Sequence, residues 1–130
     1  MLVPITALYA APLALVGLVL AARAGSQRGK LKIAVGDGGH DQLLKNTRAH
    51  ANYSEYVPLI LVLMALLELN GAGAGWLHSI GASLLAARIV HPFGIGSVSS
   101  PARFFGAALT MLALLACIVL LAWQAYGSMM

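Results

Sequence analysis

Four long apolar runs constrain the fold of this 130-residue chain more than any other feature of its sequence. A transmembrane helix needs roughly 20 mostly apolar residues, and runs of about that length lie near residues 2–22, 48–69, 73–90 and 104–126. Hydrophobic residues make up 60% of the chain and charged residues only 9%, which leaves little sequence for a soluble domain. The sequence therefore predicts an all-α fold, an integral membrane four-helix bundle that forms one domain over residues 1–130.

The first run has one feature of a signal peptide, because Ala22-Arg23-Ala24 has the small-x-small pattern of a cleavage site. No basic residue precedes the run, however, and the run is long enough to span a bilayer. We therefore interpret residues 2–22 as the first transmembrane helix.

Lysine and arginine are confined to two of the three predicted loops and the residues beside them. With four spans, all eight fall in or next to the first and third loops, whereas the second loop and both termini have none. The positive-inside rule then predicts cytoplasmic first and third loops and places both termini outside. The net charge of +4 thus reflects topology. It does not indicate nucleic-acid binding, because no basic patch is interleaved with aromatic residues.

A polar face opens the second apolar run. One residue of a helix advances roughly 100°, so Arg48, Asn52 and Glu55 share a face at positions i, i+4 and i+7, and Tyr56 falls on its edge. Ionisable groups at membrane depth are costly and by default indicate function. A face that offers a cation, an amide and an anion together suits a zwitterionic ligand.

Further basic groups are expected at the same depth on the third and fourth helices. Arg88 and His91 share one side of the inner end of the third helix, at i and i+3. Arg103 lies in the first turn of the fourth helix, where Ser100 suits the N-cap and Pro101 the first helical position. These groups predict an anionic partner, for which a lipid phosphate and a small peptide with two carboxylates both qualify.

The remaining polar segments are interpreted as loops and caps. The first loop, residues 24–46, contains Gly-Asp-Gly-Gly at 36–39 but no Gly-Lys-Ser/Thr of a phosphate loop. The second helix is predicted to begin within residues 41–43, and Glu68 is interpreted as an interfacial cap. The third helix is predicted to break at Pro92 and Gly94, before a third loop over residues 94–100. No cluster predicts a metal site, and Cys117 is interpreted as a small buried hydrophobe.

The segment at residues 48–58, RAHANYSEYVP, resembles the signature of the MAPEG family, the membrane-associated proteins in eicosanoid and glutathione metabolism. Its core, Asn52-x-x-Glu55-Tyr56-x-Pro58, is similar to the pattern of the leukotriene C synthases. The Gly-Asp-Gly-Gly loop and the helix from Glu55 to Glu68 resemble the bacterial branch. The resemblance extends over essentially the whole chain.

The resemblance implies a homotrimer in a bacterial inner membrane, with glutathione bound between neighbouring subunits near the cytoplasmic interface. Glutathione would act as co-substrate, without a metal, and a hydrophobic second substrate would enter from the membrane lipids. The implied activity is that of a glutathione transferase, with reduction of peroxides as a related reaction. By resemblance, Glu55 meets the amino group of glutathione and Arg103 stabilises its thiolate. The implied glutathione-binding residues are Arg48, Asn52, Glu55, Tyr56, Arg88 and His91.

Two departures from the specialised eicosanoid synthases argue against membership of that group: Ile95 replaces a tyrosine and Ala51 replaces an arginine. His50 faces away from Arg48 and would reach glutathione only across a subunit boundary. Two alternatives stay open at this point, a non-catalytic lipid-binding scaffold of the same family and a small four-helix exporter. The exporter is disfavoured because such transporters usually place a carboxylate in the first span, and residues 2–22 contain none.

Overall fold

The computed structural model describes residues 1–95 and 100–130. These residues form four helices, α1 (Pro4–Leu31), α2 (Asp41–Leu69), α3 (Ala74–Gly94) and α4 (Pro101–Gly127), which confirms the predicted all-α bundle. Within the described ranges, α1, α2 and α4 are long and apolar enough to cross a membrane. Helix α3, the predicted span at 73–90, is not among them, because small residues and the polar His78, Arg88 and His91 interrupt its apolar sequence.

Helix α1 is longer than the sequence predicted. The loop was expected to begin at residue 24, but the helix continues to Leu31 and ends at Lys32 in the left-handed conformation (φ 55°). Arg28 Nη1 donates to the carbonyl of Gly36 (2.8 Å), which holds the following turn against the end of the helix. The prediction was wrong because residue 22 ends the apolar run and not the helix. The predicted start of α2 is confirmed at Asp41.

Helix α3 continues through Pro92, the first of its two predicted break points, and ends at the second, Gly94. Of the predicted third loop, residues 96–99 lie outside the described residues. At the start of α4, Ser100 occupies the N-cap position and Pro101 the first helical position, as predicted. The Ser100 side chain makes no capping hydrogen bond within the described part of the chain.

The helices pack around a core in which small residues make room for large ones. The Tyr53 hydroxyl of α2 donates to the carbonyl of Leu13 in α1. A Cβ on Gly17 would lie 2.8 Å from the Tyr53 ring, so glycine at this position makes room for the ring. Cys117 of α4 is fully buried, which confirms its interpretation as a core residue. Close approach through small residues is a common way for membrane helices to pack.

Glu68 caps α1 rather than the helix to which it belongs. The backbone N–H groups of Ile5 and Thr6 donate to its two carboxylate oxygens, at 2.8 and 2.7 Å. The first N–H groups of a helix have no partner within the helix, and a negative charge beside them is favoured by the helix dipole. Glu68 therefore joins the C-terminal end of α2 to the N-terminal end of α1.

Glu68→Gln is expected to lower the free energy of unfolding by about 1 kcal/mol, in the range measured for helix N-caps. The amide still offers one oxygen, but the charge and one of the two acceptors are lost. Thermal unfolding in detergent measures the change. Glu55→Gln removes an exposed carboxylate from the same helix and serves as the control. Equal losses in the two variants would contradict the capping role.

Candidate functional site

A cavity of about 300 Å³ lies between α2, α3 and α4, at the end of the bundle where α2 and α4 begin and α3 ends. It brings together four of the side chains that the sequence predicted as site residues, Arg48, Asn52, His91 and Arg103. The residues that complete its lining are Asp41, Leu44, Lys45 and Ile95. Three separate helices thus contribute to one polar cavity.

Helix α2 contributes a stripe of polar side chains to this cavity. Asp41, Lys45, Arg48 and Asn52 follow one another at intervals of four, three and four residues, which is the spacing of one helix face. Asp41 and Lys45 were missed in the sequence analysis. The same spacing could have predicted Asp41 and Lys45 as site residues, because the helix was already predicted to begin within residues 41–43.

Arg88 lies behind the cavity and orients Asn52. Its side chain is only 2% exposed, and its Nη1 donates to Asn52 Oδ1 at 2.7 Å. The guanidinium carbon also lies 5.8 Å from the centre of the Tyr56 ring, within the range of a cation–π contact. Because Oδ1 of Asn52 accepts from Arg88, the amide nitrogen is the atom of this side chain that can donate to a ligand.

Glu55 and Tyr56 do not line the cavity. Glu55 is exposed on the surface of the bundle, and Tyr56 is half-buried near Arg88. The lining contributed by α2 ends at Asn52, at the level where Arg88 reaches across from α3. The predicted polar face of α2 is therefore divided between the cavity and the surface beyond it.

The cavity has positively charged side chains at its rim and an imidazole deeper inside. Arg48 and Arg103 are exposed, whereas His91 is 7% exposed and packs against Gly106 of α4. His91 lies just beyond the predicted span at residues 73–90. Its burial lowers its pKa, and the nearby positive charges of Arg88 and Arg103 lower the pKa further. The neutral form of His91 is therefore favoured near pH 7, and in that form one ring nitrogen can donate a hydrogen bond and the other can accept one.

The charges around the cavity suit a small anion or a zwitterion with excess negative charge. Lys45, Arg48 and Arg103 are the cations of its lining, and Asp41 is the one carboxylate among the described lining residues. Among the residues that the structure describes, no group of three or more His, Cys, Asp or Glu side chains could hold a metal ion. The charge of the described lining is therefore predominantly positive.

Comparisons with known proteins agree with the resemblance found in the sequence. The model of the MAPEG family matches residues 6–123. The inner membrane protein YecN of Escherichia coli K12 is 34% identical over 119 residues, which cover 92% of this chain and 91% of YecN. YecN of Escherichia coli O6:H1 shows the same identity and coverage. No solved structure matches the chain significantly.

Proposed function

The chain belongs to the MAPEG family, and on this premise we propose that it is a membrane-bound glutathione transferase. The observation that carries the proposal is the cavity between α2, α3 and α4, which gathers Arg48, Asn52, His91 and Arg103. The second substrate would be a hydrophobic electrophile, or a peroxide in a reductive variant of the reaction. We place the cavity on the cytoplasmic side, since it lies at the end of the bundle where lysine and arginine concentrate.

Glutathione matches the charges of this site. The tripeptide carries two carboxylates and one ammonium group, and the cavity offers the cations Lys45, Arg48 and Arg103. Arginine suits the carboxylates because its planar guanidinium can donate two parallel hydrogen bonds. The Asn52 amide nitrogen, oriented by Arg88, can donate to the peptide backbone.

Arg103 is proposed to stabilise the glutathione thiolate. A free thiol has a pKa near 8.5 and is mostly protonated at neutral pH, and nearby cations or a helix N-terminus lower this value. Both influences meet here, because Arg103 supplies a cation to the cavity and lies in the first turn of α4, whose N-terminus adds the positive end of the helix dipole. The thiolate sulfur then forms a bond to the electrophilic carbon, and the leaving group departs with the electron pair of the broken bond. The protein contributes positioning and electrostatic stabilisation.

A homotrimer would account for the residues outside the cavity. Glu55 is exposed on the surface of one subunit, and His50, which is partly buried, is also absent from the cavity lining. A ligand that extends from the cavity across a boundary between subunits would bring such residues into contact with it. The family resemblance implies this arrangement, and we retain it as part of the proposal.

Conjugation of glutathione to a generic aryl halide tests the proposed function. The purified protein in detergent is expected to accelerate the reaction above the rate in protein-free detergent micelles, with saturation in glutathione. The alternative, a non-catalytic scaffold of the same family, predicts the uncatalysed rate together with retained lipid binding. Absence of acceleration by correctly folded protein would contradict the transferase proposal.

Glu55→Gln is expected to raise KM for glutathione by about tenfold, because a hydrogen bond to a charged group contributes roughly 1.5–3 kcal/mol. Two carboxylates are available for the ammonium group, Asp41 inside the cavity and Glu55 beyond Asn52, and the resemblance favours Glu55. Asp41→Asn is the matched comparison in the same kinetic assay. A larger increase in KM for Asp41→Asn than for Glu55→Gln would instead place the ammonium group inside the cavity.

A further inference from the structure

A second groove, separate from the cavity above, runs between α1 and α3. Its volume is about 260 Å³, and its walls are mostly aliphatic and aromatic. Leu15 and Val19 of α1 face Ile89 and Phe93 of α3 across it, and all four are exposed on the surface of the subunit. An apolar groove on the outside of a membrane-spanning bundle is open to the acyl chains of the bilayer.

The groove ends at a cation. Arg23 follows Leu15 by eight residues, which corresponds to about 12 Å along the helix. Because the apolar run of α1 ends at residue 22, Arg23 marks the level at which the bilayer changes from acyl chains to head groups. The helical continuation of α1 beyond this point, absent from the sequence prediction, keeps Arg23 on a rigid element.

Arg23 also belongs to a wider, polar groove between α1 and α2. This groove has a volume of about 610 Å³, and Ser26, Lys30 and Gln42 contribute hydroxyl, ammonium and amide groups to it. Among the described residues that line the two grooves there is no aspartate or glutamate. Arg23 thus joins an apolar groove to a polar one, and the charge in both is positive.

Arg88 adds a buried positive charge to the wall of the apolar groove. The side chain is 2% exposed, and its Nε has no hydrogen-bond partner among the described residues. Its hydrogen bond to Asn52 uses a different nitrogen, Nη1. A buried charge whose donors are not all satisfied is costly, and an anion nearby reduces that cost.

We propose that the two grooves bind one anionic phospholipid of the bilayer, with an acyl chain between α1 and α3 and the phosphate at Arg23. The guanidinium group suits phosphate because it can donate two parallel hydrogen bonds. The hydroxyl and amide groups of the polar groove suit the hydroxyls of a glycerol head group. A zwitterionic lipid fits less well, since its ammonium group would approach Arg23 and Lys30 without a carboxylate in the described lining.

Native mass spectrometry of the full-length protein in detergent tests this proposal with phosphatidylglycerol and phosphatidylcholine of identical acyl chains. Phosphatidylglycerol is expected to bind about tenfold more tightly, because both lipids offer the phosphate to Arg23 but only phosphatidylcholine brings an ammonium group beside Arg23 and Lys30. Arg23→Gln is expected to remove this preference, and Arg23→Lys to keep part of it. Lys32→Asn, the matched control, removes a charge at the same end of α1 but lines neither groove, so it is expected to keep the preference in full.

Four results would overturn the proposal. Equal binding of the two lipids by the unmodified protein would show that the head group is not recognised. Equal loss of preference in Arg23→Gln and Lys32→Asn would attribute the effect to diffuse surface charge. Val19→Trp fills the apolar groove and is expected to weaken the binding of both lipids. Unchanged lipid binding in this variant would show that the groove does not hold an acyl chain. An altered number of subunits would show that a second copy of the chain, and not a lipid, covers the groove.

Discussion

Arg103→Ala is expected to lower the rate of conjugation at saturating glutathione by about 100-fold, the lower end of the loss seen when one charge-stabilising donor is removed from an active site. Arg103 lines the cavity from the first turn of α4, where its charge adds to that of the helix N-terminus. Without it, glutathione would bind largely as the thiol, which is a poor nucleophile. The kcat with a generic aryl halide measures the effect.

Two further variants separate the charge of Arg103 from its shape and from the overall charge of the protein. Arg103→Lys keeps the charge and is expected to retain more activity than the alanine variant. Lys30→Ala removes a cation from the same end of the bundle, outside the cavity, and is expected to leave kcat unchanged. If Arg103→Ala kept more than half of the activity, the proposed role of Arg103 would be wrong.

Gly106→Ala is expected to lower the free energy of unfolding by about 2 kcal/mol, as overpacking of a core does. A Cβ on Gly106 would lie 2.7 Å from Cβ and 2.9 Å from Cα of His91, and 3.1 Å from the carbonyl oxygen of Ala87. Two of these atoms belong to the backbone of α3, so the helices must separate. That movement would displace His91 relative to Arg103, and we expect conjugation to fall with stability.

Gly25→Ala is the matched control, because a Cβ on Gly25 would meet no atom within 4 Å. Alanine favours a helix over glycine by about 1 kcal/mol, so this variant is expected to be as stable as the parent or more so. Thermal unfolding and conjugation are measured on both variants. If Gly106→Ala matched Gly25→Ala in both measurements, the contact between α3 and α4 would not position the site.

The helices could be predicted from the sequence, but their lengths could not. The apolar runs located all four helices, because a chain in a bilayer must satisfy its backbone hydrogen bonds internally. The same signal says nothing about a helix that continues beyond its apolar run, as α1 does from residue 23 to Leu31. The charges in this extension ended the apolar pattern without ending the helix.

The site was predicted in part, for a related reason. Helix geometry placed Arg48, Asn52 and Glu55 on one face, and the structure brings the first two into the cavity and leaves Glu55 outside it. The spacing of residues on α2 shows which of them share a face of the helix, but it does not show how far along that face the cavity extends. That extent depends on Arg88, a long side chain from another helix whose contact with Asn52 cannot be read from a linear pattern.

Ultraviolet difference absorption tests whether the cavity holds glutathione as its thiolate. We expect a thiolate band when the purified protein is mixed with glutathione at neutral pH, and no band with S-methylglutathione, which has no ionisable thiol. We expect Arg103→Ala to lose the band and Lys30→Ala to keep it. Absence of a thiolate band in the unmodified protein at saturating glutathione, or an undiminished band in Arg103→Ala, would contradict binding of glutathione as the thiolate beside Arg103.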